Sequence, residues 1–228
     1  PIRLSAEQIK KKGQLRSNKK DNNIKEYSEM IIRQTEVLQR IVDEFSNFAR
    51  MPVPRKKIIN INDLIKSAVL LQRAVNDKIV FNIKFKNTDL NIFGDPSILS
   101  QAFTNLLKNS TESILSSHNS LNIDENQIGF IDIILEKIDN LLVIKIIDTG
   151  VGLDKNITNF FEPYVTTKQN GTGLGLAIVR KIVEQHEGSL SLYNSEIVFH
   201  RKYRKGAVAE IKLPLVKNTN NFLTKDLS

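Results

Sequence analysis

The sequence feature that most constrains the fold is a heptad stripe over residues 23–50, which ends at a pair of prolines. The stripe repeats at alternating spacings of three and four, and it consists of Ile24, Tyr27, Ile31, Gln34, Leu38, Ile41, Phe45 and Phe48. This spacing predicts a long helix with a single apolar seam. Met51-Pro52-Val53-Pro54 follows directly, and prolines end a helix. The chain is therefore predicted to have a helical N-terminal part followed by a part of another architecture.

The residues on either side of this helix complete the predicted domain organisation. A shorter apolar stripe over residues 1–17 indicates a first helix, and the polar stretch Ser17–Asn23 indicates a turn. Two helices joined in this way form a hairpin whose apolar seam needs a partner, most simply a second copy of the chain. We expect a hairpin at residues 1–50, a linker at 51–60, a second domain at 61–216 and a frayed polar tail at 217–228.

The second domain shows a mixed pattern of helices and strands. Asn62 or Asp63 is expected to cap one helix, and Gly94-Asp95-Pro96 supplies a turn, an N-cap and a first-turn proline for the next. The predicted helices end near residues 75, 116 and 185, a polar loop covers 118–126, and strands are predicted at 79–86, 128–137, 141–147, 188–193 and 208–213. This order of elements is typical of an α+β domain.

Charge and composition exclude several classes of function. Residues 1–60 carry 14 Lys+Arg against 7 Asp+Glu, whereas the rest of the chain carries 19 against 18, so the net charge of +8 lies almost entirely in the hairpin and linker. No aromatic residues alternate with the basic runs, and we therefore expect no nucleic-acid partner. The chain has no cysteine, which excludes disulfides, thiolate zinc sites and cysteine nucleophiles. No apolar run approaches the roughly 18 residues that a membrane span needs.

Glycines are concentrated in one part of the second domain. Six of the ten lie between Gly150 and Gly188, in two motifs: Asp148-Thr149-Gly150-Val151-Gly152 and Gly171-Thr172-Gly173-Leu174-Gly175-Leu176. The second motif opens a helix, whose unpaired N–H groups and positive dipole end favour phosphate. For either motif alone, a surface loop capped by a helix is an equally good interpretation.

Two well-known phosphate-binding motifs do not fit these glycines. The residues before Gly171 are Thr166–Asn170, a polar loop and not the strand that a dinucleotide-binding fingerprint requires, and the third glycine comes too early. No Gly-Lys-Ser/Thr sequence follows, so the chain has no P-loop.

A pair of asparagines marks the helix that begins at Pro96. Asn105 and Asn109 are one turn apart and share a face, although asparagine is a poor helix former. Their amide oxygens suit a magnesium ion shared with phosphate oxygens, and Lys108 is placed to offset phosphate charge. Taken alone, an exposed polar stripe in a chain with 23 asparagines is the preferred interpretation.

The order of these motifs resembles the ATP-binding domain of sensor histidine kinases. An Asn-x-x-x-Asn helix, an Asp-x-Gly-x-Gly turn after a strand and a Gly-x-Gly-x-Gly segment opening a helix occur in that order. Phe161–Lys168 is similar to the lid of this family, Gly206–Pro214 to its closing strand, and Asp43–Arg50 to the second helix of its dimerisation and phosphotransfer hairpin. The likeness is greatest to nitrogen-regulation-type kinases and covers nearly all of residues 1–216. It implies a two-layer α/β sandwich with a mixed sheet after the hairpin.

The resemblance implies roles for individual residues. Asp148 would accept a hydrogen bond from the adenine amino group, with Gly150 and Gly152 forming the turn beside the base. Asn109 would bind magnesium, with Asn105 assisting on the same face. Lys108, on the same helix, is the third catalytic candidate and would offset phosphate charge. The implied cofactors are ATP and Mg²⁺.

The second glycine motif would hold the triphosphate. Its backbone N–H groups would line the phosphates, and Lys168 of the lid would reach the terminal one. The contributing residues are Gly171, Thr172, Gly173, Leu174 and Gly175. The implied chemistry is phosphoryl transfer, in which positioning and charge neutralisation supply most of the catalysis.

The acceptor histidine of the family has no counterpart in these residues. Residues 1–6 match only the end of the family's acceptor motif, so the resemblance places the acceptor eight residues before Pro1. His118, His186 and His200 are expected to be structural or simply exposed. We therefore expect a chain that binds Mg-ATP without phosphorylating itself. The implied partners are a response regulator and a second copy, and the implied location is the cytoplasmic side of a membrane-anchored parent whose membrane segments this chain lacks.

Two alternatives remain open at the level of sequence. One is an ATPase of the gyrase, Hsp90 and mismatch-repair type, although those relatives carry a general-base glutamate where Asn105 stands and lack the hairpin. The other is a non-catalytic remnant that only dimerises or binds a response regulator. Nucleotide titration and light scattering would separate these possibilities.

Overall fold

The computed structural model describes residues 6, 7, 9, 19–86, 90–121, 128–154, 156–157, 159–166, 168, 171–199 and 202–216. The chain divides into two compact units. The first unit comprises residues 1–52 and 166–174, and the second comprises residues 53–165 and 175–228. Among the described residues, no helix combines the length and apolar character of a membrane span.

The first unit is built on one long helix, α1 (Lys19–Ala49). Its predicted apolar seam is largely open to solvent, with Leu38 60% exposed and Phe45 48% exposed. The turn predicted at Ser17–Asn23 is wrong from Lys19 onward, since those residues are helical. Neither glycine nor proline interrupts them, so nothing in their backbone chemistry stops the helix. Of the helix predicted over residues 1–17, residues 6, 7 and 9 are described, and they are helical.

The second unit contains three helices and seven strands among its described residues. The helices are α2 (Ile61–Val75), α3 (Pro96–Leu121) and α4 (Gly175–Gln185). The strands are β1 (Lys57–Asn60), β2 (Ile79–Phe85), β3 (Asn91–Gly94), β4 (Gly129–Ile138), β5 (Leu141–Asp148), β6 (Ser189–Phe199) and β7 (Lys202–Pro214).

Five of the strands form a mixed sheet in the order β2-β4-β5-β7-β6. Strands β2 and β4 are parallel, and the other neighbours are antiparallel. Burial alternates along most of β4, so the sheet has one face against the core, where the helices contact it. The core includes the fully buried Phe103, Leu107, Ile133 and Val179. The predicted α+β class with a mixed sheet is confirmed.

One strand of a small second sheet lies within the predicted linker. Strand β1 pairs antiparallel with β3, from Lys57 opposite Gly94 to Asn60 opposite Asn91. Four-residue strands are too short to show a period of two, which explains why the sequence did not reveal them. The N-cap of α2 is Asn60 and not Asn62 or Asp63, because the Asn60 side chain accepts a hydrogen bond from the Asn62 N–H at 3.0 Å.

Three further boundaries differ from the sequence predictions. Helix α3 continues to Leu121, beyond the predicted end at Ser116, because no glycine or proline stops it. Residues 118–121 of the predicted polar loop are therefore helical. Strands β6 and β7 are longer than predicted, because they continue as a two-stranded ladder to the pair Phe199 and Lys202. The predicted polar tail at 217–228 lies outside the described residues.

The predicted start of α3 is confirmed in detail. One carboxylate oxygen of Asp95, Oδ1, accepts hydrogen bonds from the backbone N–H groups of Ser97 at 2.9 Å and Ile98 at 3.3 Å. Pro96 occupies the first helical position, where the missing N–H costs nothing. The capping fixes where the helix that carries the asparagine pair begins.

Candidate functional site

Asp148 ends β5, at the centre of the five-stranded sheet, and its side chain is 4% exposed. Its Oδ1 atom accepts hydrogen bonds from the backbone N–H groups of Gly150 at 2.9 Å and Ala207 at 3.4 Å. These donors come from the following turn and from the neighbouring strand β7. The carboxylate is therefore held in a defined orientation at the end of the strand.

Thr149 stabilises the same strand end and was not predicted from the sequence. The residue is fully buried, and its Oγ1 atom accepts a hydrogen bond from the Phe130 N–H at 3.0 Å and lies 3.3 Å from the Phe130 carbonyl oxygen. A hydroxyl both donates and accepts, so one side chain joins β5 to the start of β4. No sequence signal distinguishes this threonine from an exposed turn residue.

Gly150 packs directly against helix α3. A Cβ atom at this position would lie 2.1 Å from Ser113 Oγ and 2.6 Å from the Ser113 carbonyl carbon, so only glycine fits without displacement. The Val151 N–H donates to Ser113 Oγ at 3.1 Å. Gly152 follows with φ of 75°, a backbone conformation that favours glycine. Ser113 was missed, although its position four residues after Asn109 extends the polar stripe.

The asparagine pair lies on α3 near the first residue of α4. Asn105 and Asn109 are both half-buried, whereas Lys108 is 60% exposed and its Nζ lies 4.0 Å from Glu112 Oε1. A Cβ atom on Gly175 would lie 3.9 Å from Asn109 Nδ2. The structure therefore brings Asn109 and Gly175 together, and it packs the Gly150 turn one helical turn further along α3.

The donors near the asparagine pair suit a magnesium ion that is also held by a nucleotide. Amide oxygens are hard, neutral ligands, and Mg²⁺ is usually bound by few protein groups together with phosphate oxygens and waters. The described part of the chain contains no group of three or more His, Asp or Glu side chains arranged to hold a metal ion. The residues therefore suit an ion that is bound together with phosphates, rather than an ion held by protein side chains alone.

The lid is divided between the two units, and the second glycine motif up to Leu174 belongs to the first unit. In the second unit, the Phe161 ring lies 5.5 Å from the guanidinium carbon of Arg180 on α4, a cation–π contact. Tyr164 has φ of 68° and is 55% exposed. In the first unit, the Lys168 N–H donates to Thr166 Oγ1, and the Gly171 N–H donates to the Lys168 carbonyl oxygen, both at 3.1 Å.

Thr172 has a partner on α1 that the sequence did not reveal. Its hydroxyl donates to the Glu44 carboxylate, and it also accepts a hydrogen bond from the Leu174 N–H at 3.4 Å. Gly173 has φ of 70°. Thr172, Gly173 and Leu174, with Gly171, belong to the first unit, whereas Asp148 and Asn109 belong to the second.

The chain contains an ATPase domain of a known family. The family model described as histidine kinase-, DNA gyrase B- and HSP90-like ATPase matches residues 94–217. The chain belongs to this family and carries the ATPase catalytic domain of sensor histidine kinases. The matched range includes the asparagine helix and both glycine motifs.

Individual relatives sharpen this assignment. The chain is 39% identical over 193 residues to the nitrogen regulation protein NtrY of Azorhizobium caulinodans, covering 84% of this chain and 24% of that protein. It therefore spans about a quarter of the length of that relative. The solved catalytic domain of the histidine kinase ThkA is similar with a TM-score of 0.58 and 26% identity, covering 71% of this chain and 96% of that one. A structure of ThkA in complex with the response regulator TrrA is similar in fold, with a TM-score of 0.64 and 24% identity over 85% of this chain and 52% of that one.

Proposed function

We propose that this chain binds Mg-ATP and is the catalytic portion of a sensor histidine kinase, which transfers the γ-phosphoryl group to a histidine of the parent protein outside these 228 residues. One observation carries the proposal: two glycine contacts lie one turn apart on helix α3, and one of them is at Asn109 of the asparagine pair. Gly150 packs on Ser113 and brings the Asp148 turn to α3, while Gly175 lies beside Asn109. A nucleotide-binding carboxylate, magnesium ligands and a phosphate-binding helix start are the parts that such a site needs.

Asp148 is the adenine-recognising residue in this proposal. Its Oδ1 atom is occupied by the Gly150 and Ala207 N–H groups, so the carboxylate has a fixed direction in which to accept the adenine amino group. Gly150 and Gly152 leave the turn without side chains beside the base. A charged acceptor in a buried setting strengthens such a hydrogen bond.

The phosphates and magnesium are assigned to the asparagine pair and the second glycine motif. Asn109, assisted by Asn105, holds the ion, which when bound neutralises phosphate charge and orients the terminal phosphate. Lys108 contributes a positive charge from the same helix. Backbone N–H groups of Gly171, Thr172, Gly173, Leu174 and Gly175 line the phosphates, and Lys168 reaches the terminal one.

The described histidine is unsuited to accept a phosphoryl group. His186 is 2% exposed, and both ring nitrogens are engaged by backbone groups. The side chain of His118 and the whole of His200 lie outside the described residues. We therefore propose that the 228-residue chain does not phosphorylate itself.

The proposed partners follow from the exposed face of α1 and from relatives. The apolar seam of α1, with Leu38 and Phe45 exposed, suits pairing with a second copy through the predicted hairpin. ThkA forms a complex with a response regulator, and we propose such a regulator as the phosphoryl acceptor downstream of this kinase. The parent protein is proposed to be membrane-anchored, with this part on the cytoplasmic side.

Calorimetric titration with Mg-ATP tests the nucleotide site. The chain is expected to bind Mg-ATP, and Asp148→Ala to abolish binding while circular dichroism stays native. Asp139→Asn is the matched control, because Asp139 lies in the turn at the opposite end of β5. Unchanged affinity in Asp148→Ala would refute the adenine role.

The phosphoryl-transfer step needs its own measurement. With γ-labelled ATP, the chain alone is expected to gain no label, whereas an acceptor hairpin from an NtrY-type relative, added in trans, is expected to gain an acid-labile, base-stable one. Label on the chain itself would contradict the proposal. Rapid release of inorganic phosphate without any labelled protein would instead favour the gyrase-type ATPase.

A further inference from the structure

His186 follows the last residue of α4 and connects that helix to the start of α3. The side chain is 2% exposed, its Nδ1 lies 2.7 Å from the Ile182 carbonyl oxygen, and the Asp95 N–H donates to its Nε2 at 3.0 Å. Because a backbone N–H only donates, Nε2 must be the unprotonated nitrogen. Nδ1 therefore carries the proton and donates to Ile182. The bonding pattern specifies one neutral tautomer.

Asp95 links His186 to the N-terminus of α3. The same residue caps α3 through Oδ1, and its Oδ2 accepts a hydrogen bond from the Arg55 N–H at 2.7 Å. Gly94 makes room for the ring, since a Cβ atom there would lie 3.2 Å from His186 Cδ2. The end of α4 and the start of α3 therefore meet at one buried imidazole, and the segment before β1 is bonded to the same Asp95.

The two helices lie against each other at both ends. At one end the Asp95 N–H bonds to His186, and at the other Asn109 lies beside Gly175. At 1.5 Å per residue, Asp95 and Asn109 are about 21 Å apart along α3, and Gly175 and His186 about 16 Å apart along α4. The helices thus pack antiparallel, with the proposed phosphate site at one end of the pair and the histidine at the other. Packed interiors transmit strain, and both contacts belong to one packed pair of helices.

We propose that neutral His186 is a positioning residue, which keeps Asn109 of α3 and Gly175 of α4 at the spacing that Mg-ATP requires, and that protonation of His186 weakens Mg-ATP binding. The inference rests on the proposed function, because it assigns His186 a task for that same site. His186 touches no part of the nucleotide and acts through the helix pair.

The surroundings of His186 favour the neutral form at neutral pH. Burial lowers the pKa of His186; the hydrogen bond to Ile182 raises it, Lys56 lowers it, and Asp95 and Glu187 raise it, with a net pKa below the ordinary value. Lys56 and Glu187 pair with each other at 3.2 Å. Burial raises the pKa of Asp95, but hydrogen bonds from Arg55, Ile98 and Ser97 outweigh it, so this carboxylate stays ionised. A proton on Nε2 would face the Asp95 N–H, donor against donor.

Two variants separate the acceptor function of His186 from its bulk. His186→Gln keeps an oxygen acceptor near the position of Nε2 but does not titrate, whereas His186→Phe keeps the ring volume and removes the acceptor. At about pH 7.5 we expect His186→Phe to weaken Mg-ATP binding about tenfold and His186→Gln to stay within about threefold of the unmodified chain. Ile133→Val, a core change in β4, controls for a general loss of stability and is expected to leave affinity unchanged.

The pH dependence of Mg-ATP affinity tests the proposal, because a merely structural role of His186 would leave it unchanged. From about pH 7.5 down to about pH 5.5 the unmodified chain is expected to lose affinity more steeply than His186→Gln. The terminal phosphate of the nucleotide titrates near pH 6, and this contribution is common to both proteins. Parallel profiles, or His186→Phe binding as tightly as the unmodified chain, would overturn the proposal.

Nuclear magnetic resonance tests the coupling without nucleotide. The side-chain amide signal of Asn109 is expected to shift with the protonation of His186 in the unmodified chain and to stay constant in His186→Gln. An Asn109 signal that ignores the state of His186 would overturn the coupling even if Mg-ATP binds. Failure of the unmodified chain to bind Mg-ATP at about pH 7.5 would instead refute the proposed function, while this titration still decides whether the two helix ends communicate.

Discussion

At the scale of single residues, the site depends on side chains that bond to backbone far away in the sequence. Ser113 accepts from the Val151 N–H across 38 positions, and His186 accepts from the Asp95 N–H across 91. Residue type marks a candidate ligand such as Asp148, but it does not mark a supporting residue whose partner is set by the tertiary fold. This is why the sequence predicted neither Ser113 nor Thr149 as a site residue.

Gly150→Ala is predicted to destabilise the second unit by about 1–3 kcal/mol, because the new methyl group would overlap Ser113. Gly175→Ala is the matched control: its Cβ would make only ordinary contact at 3.9 Å, so its free energy of unfolding should change by less than about 0.5 kcal/mol. Urea denaturation measures both. Equal stability of the two variants would show that the turn yields without cost.

Thr149→Val is predicted to cost about 1–3 kcal/mol, because it removes the buried hydroxyl that accepts from the part-buried Phe130 N–H while keeping the side-chain shape. Thr149→Ser, which retains the hydroxyl, should recover most of the loss. Chemical denaturation of the three proteins supplies the comparison, and a valine variant as stable as the parent would contradict the assigned role.

At the scale of elements, periodicity identified the long elements and missed the short ones. The heptad stripe predicted α1 within four residues of its start, and alternation located β2. The strands predicted at 128–137 and 141–147 correspond to β4 and β5. Strands β1 and β3 have four residues each, which is only two repeats of the strand period, and their pairing depends on a partner more than thirty residues away. The extra length of α3 beyond Ser116 was not predicted, because the residues after Ser116 are polar and polar composition is typical of a loop. They contain no helix-breaking residue, so the helix continues.

Leu38→Glu is predicted to convert a dimer of this chain to monomer, because it places a charge in the exposed seam of α1. Arg40→Glu, an exposed change off the seam, is the control and should leave the mass measured by light scattering unchanged. A chain that is already monomeric at concentrations of about 100 μM would argue against pairing through α1.

At the scale of the whole molecule, buried titratable groups connect stability to pH. The pKa of His186 is lowered mainly by burial, so as pH falls below about 6.5 the unfolded chain takes up a proton that the folded chain refuses. The pKa of Asp95 is also lowered, against the effect of burial, by its backbone donors, and its stabilising contribution is lost only at more acid pH. Stability should therefore decline in two stages on acidification.

The first stage is predicted to vanish in His186→Gln. Urea midpoints for the unmodified chain should fall between about pH 7 and pH 5, whereas those of the variant should stay level until the carboxylates titrate. Coinciding curves would assign the first stage to other groups.

The pairing of β1 with β3 has a consequence for how a minimal catalytic fragment is cut. The boundary read from the sequence, residue 61, would remove the strand opposite residues 91–94 and strip Asp95 of its bond from Arg55. A fragment spanning 53–216 is expected to melt several degrees above one spanning 61–216, and equal melting temperatures would show that β1 is dispensable. Residues 55–60, which the composition suggests are a flexible linker, are thus part of the folded domain. A protease that cleaves between the hairpin and this domain should therefore cut before Val53.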